Sequence, residues 1–244
     1  MTAVRILEWD SRFFNRPIGR IDIPSPSLSP DAIAAALREA RDLKLACLYF
    51  QVPFISSDIS AYCSKQNFLL VDFRIVLSKA LESQVLPDDA GDDIVRPEAA
   101  HYPVLEKIAE SVARTSRFHF DPHFGEEGAG RLYRTWLRNS FSGDFCSDFL
   151  VALRDGRPEG FLTLRTQDRA PRIDLLGVAE EARGRGVGGR LIRCAESRLR
   201  TAGSGRLDVA TQGHNIGALR AYQQAGFRIV SANIFYHIWL EELD

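Results

Sequence analysis

The chain has 244 residues, 45% of them apolar and 26% charged, with a formal net charge of −1. That length allows one large domain or two small ones with ample core, and the composition excludes a disordered chain. The near-neutral balance argues against a nucleic-acid binder, which carries a basic excess, although a local basic cluster can still serve a small phosphorylated ligand.

The opening MTAVRILEWD lacks the apolar core of a secretory signal, and no apolar run approaches the length of a membrane span. Cys47, Cys63, Cys146 and Cys194 are scattered and form no C-x-x-C pair. They read as reduced, packed thiols of a cytoplasmic protein, with no metal site expected.

In chain order, PDAIAAALREARDLK (30–44) predicts a helix started by Ser29-Pro30-Asp31, and LACLYFQVP (45–53) an apolar strand. ISAYCSKQNFLLVDFRIVLS (59–78) predicts a helix running into a strand. The acidic SQVLPDDAGDDIVRP (83–97) is the best boundary, dividing residues 1–90 from residues 91–244.

Beyond it, DIVRP predicts a short strand and EAAHYPVLEKIAESVART a helix with Leu105, Ile108 and Val112 on one face. SRFHFDPHFG reads as a loop, and EEGAGRLYRTWLRNSF as a second amphipathic helix. DFLVALRDGRPEGFLTLRT predicts two strands about a turn at Asp155-Gly156, and PRIDLLGV a further strand. After a glycine-rich loop come a helix (GGRLIRCAESRLRTA), a strand (GRLDVATQG), a helix ended near Gly226 by a glycine cap (NIGALRAYQQAGF), and one or two closing strands (RIVSANIFYHIWL). AYCSKQNFLLVDFRIV (61–76) also parallels AYQQAGFRIVSANIFYHIW (221–239), which suggests that the first part is a degenerate copy of one helix–strand unit.

The chemistry is concentrated in EEARGRGVGGR (180–190). Read literally, Gly184, Gly186 and Gly189 satisfy the G-x-G-x-x-G of dinucleotide sites. That motif needs its first glycine directly at a strand end and an acid at the tip of the next strand. Here Ala179–Ala182 intervene, Asp208 sits mid-strand, and the tip is Thr211-Gln212-Gly213. No Gly-Lys-Ser/Thr follows, which excludes a nucleotide-triphosphatase phosphate loop. A plain surface turn is the bland alternative, but four glycines and the arginines Arg183, Arg185 and Arg190 fall in eight residues before a helix. Glycines let successive N–H groups converge, the helix N-terminus adds partial positive charge, and guanidinium groups flank the nest. That combination suits a pyrophosphate.

Arg183-x-x-Gly186-x-Gly188 resembles the R/Q-x-x-G-x-G/A loop of the GNAT acetyltransferases. The resemblance covers about residues 94–240. It implies an α/β (α+β) fold, with a mixed, mostly antiparallel twisted sheet flanked by helices and a smaller degenerate α/β N-terminal half. It implies that Arg183, Gly184, Arg185, Gly186, Val187, Gly188 and Gly189 cradle the pyrophosphate of acetyl-CoA. It further implies that the backbone of Leu176, Gly177 and Val178 pairs with the pantetheine arm. The family's second signature matches Asn215, Ala218 and Tyr222, followed by Gly226-Phe227. Asn215 would orient the pantetheine or cap its helix, with Ala218 beside it.

SRFHFDPHFGEEGAGRLYRTWLRNSF, VATQGHNIGAL and the opening WDSRFFNRPIGRIDI resemble the nucleotide-sugar branch, typified by TDP-fucosamine acetyltransferase. This resemblance implies a small amine acceptor, a dTDP-linked 4-amino-4,6-dideoxy sugar, destined for surface polysaccharide or antibiotic decoration. Other amines (polyamine, antibiotic, protein N-terminus) and a non-catalytic CoA sensor stay open, and the β-rich tail allows a homodimer.

The resemblance places the Tyr222 hydroxyl near the CoA sulfur and so makes Tyr222 the expected general acid. A phenol of pKa about 10 can return a proton to a departing thiolate of about 8.5. The alternative is a core tyrosine. Many members of the family it resembles use a Glu base on the strand before the loop, where this chain offers Asp174, against a plain surface or salt-bridged acid, a water relay, or His119, whose intrinsic pKa suits the role. Arg117, Phe118, His119 and Phe120 pair aromatics with a cation, suited to stacking on thymine and meeting phosphate, or to pinning a loop.

Overall fold

A computed structural model describes residues 3–24, 27–53, 57–81, 93–166 and 170–243. In chain order the elements are β1 (Val4–Ile6), α1 (Glu8–Phe14), β2 (Ile18–Ile21), α2 (Pro30–Asp42), β3 (Cys47–Pro53), α3 (Ser57–Lys65) and β4 (Leu69–Ala80). Then follow β5 (Ile94–Val95), α4 (Tyr102–Ala113), α5 (Arg117–Phe120), α6 (Gly125–Phe141), β6 (Asp148–Arg154), β7 (Arg157–Arg165) and β8 (Arg172–Val178). The chain closes with α7 (Val187–Thr201), β9 (Arg206–Gln212), α8 (Ile216–Gln224) and β10 (Arg228–Trp239). Most of the expected boundary segment, 83–97, lies outside the described residues. Two compact units emerge: Met1–Arg74 with Phe120–Phe124 and Ser231–Asp244, and Ile75–His119 with Gly125–Val230.

In the first unit β2 pairs with β1 antiparallel and with β3 parallel, and β3 pairs antiparallel with Asn233–Trp239 of β10. Helix α2 begins where the sequence directs: the Ser29 hydroxyl accepts the Ala32 N–H and Pro30 takes the first turn. Its buried residues Ile33, Ala36, Leu37 and Ala40 recur at helical spacing and pack with Leu48, Phe50 and Ile238. The segment β1–α1–β2 has no strong periodic signature; α1 buries no residue at all.

In the second unit β5, β6, β7 and β8 form an antiparallel run. Asp155 and Gly156 both take positive φ (49° and 74°) in the β6–β7 hairpin, the geometry of a two-residue turn matched to strand twist. From β8 the chain crosses through α7 to β9, which is parallel to β8; parallel neighbours need such a crossover. The sheet is thus mixed and mostly antiparallel, as the family resemblance implies. The region expected as a loop at 116–125 instead holds one helical turn, α5, stabilised by the Ser116 carbonyl accepting the His119 N–H at 3.0 Å.

The two helix–strand units that resemble each other in sequence end their helices in one way. Phe68 N–H bonds to the Cys63 carbonyl and Asn67 N–H to that of Ser64; Phe227 N–H bonds to Tyr222 and Gly226 N–H to Gln223. Asn67 and Gly226 are both left-handed, φ 55° and 90°. This is the 6→1, 5→2 termination of a Schellman cap. It sets Cys63, rather than Tyr62, at the position equivalent to Tyr222.

Candidate active site

The site is framed by two strands that part. Strands β8 and β9 pair only at Arg172↔Asp208 and Ile173↔Val209. Beyond Ile173, β8 stays paired to β7 as far as Val178↔Gly160 but leaves the β9 ladder. The divergence starts at a bulge. Thr163 pairs with Leu175 and Leu164 with Ile173, so Asp174 is the extra residue, and the Leu175 N–H turns to the Thr163 hydroxyl at 3.1 Å. A bulge increases local twist and ends regular pairing. One edge of Leu176-Gly177-Val178 is therefore unladdered with β9 and carries main-chain donors and acceptors suited to an amide-containing arm.

The glycine loop follows β8. The Ala179 N–H bonds to the Glu159 carbonyl at 2.8 Å, and a short turn, Glu180–Ala182, leads into the glycines. Gly184 and Gly186 have φ of 77° and 78°, a region costly for residues with a Cβ. Gly186 caps α7 with no side-chain bond. The first helical bond is Arg190 N–H to the Gly186 carbonyl, so the N–H groups of Val187, Gly188 and Gly189 stand outside the helical ladder. A Cβ at Gly184 or Gly186 would meet nothing within 4 Å, leaving space for a ligand to approach. At Gly188 a Cβ would lie 3.8 Å from Val178 and 4.0 Å from Leu176, which brings the start of α7 to the end of β8. These features fit a pyrophosphate joined to an extended arm. Arg183 is exposed. Arg185 faces Glu159 at 3.4 Å, and Arg190 faces Asp93 at 3.2 Å.

Asn215 caps α8, its Oδ1 accepting the Ala218 N–H at 3.1 Å. The Asn-x-x-Ala spacing is thus the cap and the third helical residue, the reach of an N-cap bond. Tyr222 lies near two turns further on and is 4% exposed. Burial pushes its phenol well above the ordinary tyrosine value, so it stays protonated at neutral pH. Its ring packs on Phe227 at 5.7 Å, the apolar contact that accompanies the cap.

The remaining candidates are dispersed. Asp174 accepts from Arg165 at 2.7 Å and Arg172 at 2.8 Å, one guanidinium on each oxygen. Phe118 is buried at 1% exposure, with its ring 6.3 Å from that of Trp136, and Arg117 lies 4.2 Å over it. Phe120 is 50% exposed. His119 borders a cavity of about 190 Å³ between α4 and α6, with Glu110, Arg114, Glu126, Glu127 and Arg134. Arg114 pairs there with Glu126 at 3.5 Å, and Arg134 with Glu110.

Two features escape sequence reading. The bulge at Asp174 leaves no mark in the alternation of β8, because the irregularity is a matter of partner register. Glu159 is 26 residues from Arg185, and no local spacing links them.

Residues 106–227 match the acetyltransferase (GNAT) family. The chain is 28% identical over 235 residues to dTDP-fucosamine acetyltransferase of Escherichia coli O6:H1, covering 94% of this chain and 95% of that protein. It is 27% identical over 143 residues to the spore coat polysaccharide biosynthesis protein SpsD of Bacillus subtilis strain 168, covering 59% and 49% respectively. The fold resembles a GCN5-related N-acetyltransferase from Sphaerobacter thermophilus, with a TM-score of 0.62 at 14% identity over 97% of this chain and 76% of that one.

Proposed function

Since the chain belongs to the acetyltransferase (GNAT) family and works with acetyl-CoA, we propose that its acceptor is the amine of a dTDP-linked 4-amino-4,6-dideoxy sugar. One observation carries this reading: similarity to dTDP-fucosamine acetyltransferase extends over 94% of the chain. A shared acetyl-CoA site alone would account for residues 106–227; likeness through the first unit as well favours a shared acceptor.

The proposed reaction is direct attack in a ternary complex. The neutral amine adds to the thioester carbon, a C–N bond forms and the C–S bond breaks. The leaving thiolate takes the phenolic proton of Tyr222, which is recovered from solvent. The unladdered edge at Val178 offers an N–H for the thioester oxygen, and joint binding supplies orientation. Both oxygens of Asp174 are engaged by guanidinium groups, so the ammonium proton leaves through water in this scheme and Asp174 steadies the bulge.

The test is thiol release from acetyl-CoA with a panel of nucleotide-linked amino sugars, polyamines and aminoglycosides. Selective turnover of a dTDP-4-amino sugar is the expected result. Turnover of another amine overturns the acceptor, and acetyl-CoA binding with no turnover on any amine favours a sensor.

A further inference from the structure

Glu159 lies on β7 beside Gly160, the residue paired with Val178 where β8 ends. Its side chain is 13% exposed and faces three guanidinium groups, Arg185 at 3.4 Å and Arg154 and Arg190 at 3.8 Å each. Its carbonyl accepts the N–H of Ala179 at 2.8 Å, just as the chain leaves β8. One residue therefore holds the glycine loop at two points, by main chain at its entry and by side chain at Arg185.

Arg185 sits between Gly184 and Gly186, both left-handed and both with open space around the Cβ position. A Cβ at either glycine would meet nothing within 4 Å, and glycine has the widest conformational choice of any residue. A loop that must be ordered when its ligand arrives loses affinity to that ordering. The residue between the two glycines is anchored by its N–H on the Ala182 carbonyl at 3.4 Å and by its side chain, which is tethered to Glu159.

We infer that Glu159 is a positioning residue for the acetyl-CoA site. By holding Arg185 it keeps Gly184 and Gly186 in the geometry that leaves the N–H groups of Val187, Gly188 and Gly189 outside the helix and ready for the pyrophosphate. Arg185 is a strut rather than a phosphate ligand. The anion is met by those N–H groups and by Arg183, which makes no ion pair among the described residues. The inference rests on acetyl-CoA as the bound group, which calorimetry on the wild-type protein checks separately.

The experiment compares Glu159→Gln, Arg185→Gln and the double variant by acetyl-CoA calorimetry, steady-state kinetics and thermal melting. Each single change should raise Kd and KM for acetyl-CoA about three- to fivefold, the scale of a partly exposed ion pair, with kcat held. The double variant should be no worse than either single one. Further loss on adding Arg185→Gln to Glu159→Gln would make Arg185 a direct ligand and overturn the proposal. Tighter acetyl-CoA binding by Glu159→Gln would show that the carboxylate competes with the pyrophosphate, which also overturns it. A lowered Tm with unchanged Kd would reduce Glu159 to a structural residue.

Discussion

Asp121 and His237, 116 residues apart, meet in the first unit with both side chains at 0% exposure, Oδ2 to Nδ1 at 2.6 Å. The Trp239 indole donates to the same oxygen at 3.0 Å, and the backbone N–H and Nδ1 of His123 reach the other at 2.9 and 3.0 Å. The Nε2 of His123 lies 3.0 Å from Glu242. Both ring nitrogens of His123 thus face carboxylates. A buried carboxylate with every lone pair answered ties residues 120–124 to the C-terminal strand. It also makes Asp121 a core residue.

Replacing Asp121 by Ala should therefore be severe. Removing one partner leaves buried donors unanswered, a loss of about 3–5 kcal/mol, read as a fall in the urea midpoint. Burial works to raise the Asp121 pKa, but the hydrogen bond and charge of His237 and the bonds from His123 outweigh it and hold the carboxyl below its usual value. Its stabilisation is then fully present above the ordinary carboxylate range and is lost as pH falls through the depressed native value. Wild-type stability should drop steeply in acid below pH 4, and the Asp121→Asn variant should show a shallower slope there.

Tyr222→Phe removes only the hydroxyl and keeps the packing on Phe227. If the phenol returns the proton to sulfur, kcat should fall by about 100-fold or more while the acetyl-CoA Kd stays within twofold. Because burial raises the phenol's pKa, wild-type kcat should show no loss from tyrosine ionisation up to about pH 9. Unchanged turnover in Tyr222→Phe would remove it from the mechanism.

Gly186→Asp places a Cβ and a negative charge at a left-handed position beside the proposed anion site. The conformational strain is about 1–2 kcal/mol, small against the charge repulsion. Acetyl-CoA binding should vanish in calorimetry while the protein remains folded by circular dichroism. Arg183→Glu should behave alike without the backbone strain. Retained affinity in both would move the pyrophosphate elsewhere.

Asn215→Ala deletes the cap on α8. The expected cost is about 1 kcal/mol of stability, and Asn215→Asp should restore most of it. A variant that loses acetyl-CoA affinity but no stability would mean that Asn215 serves the pantetheine arm and not the helix.

Much of this protein is legible from short stretches. Ser29-Pro30 starts a helix, Asp155-Gly156 turns a hairpin, Gly226 ends α8 and Asn215 begins it, because each depends on backbone geometry within four or five residues. The Arg183-x-x-Gly186-x-Gly188 loop is legible for the same reason: two left-handed glycines ahead of a helix are a local backbone feature, and its service to a pyrophosphate is the proposal built on it. What the tertiary structure alone decided are relations between distant residues. The parting of β8 from β9 at Asp174 is a matter of register between strands. The occupation of Asp174 by Arg165 and Arg172, the grip of Glu159 on Arg185, and the burial of Asp121 against His237 depend on which charges folding brings within hydrogen-bond reach. Charge and hydrogen-bonding capacity are written in the residue types; the partner that satisfies them is fixed only when the chain has packed.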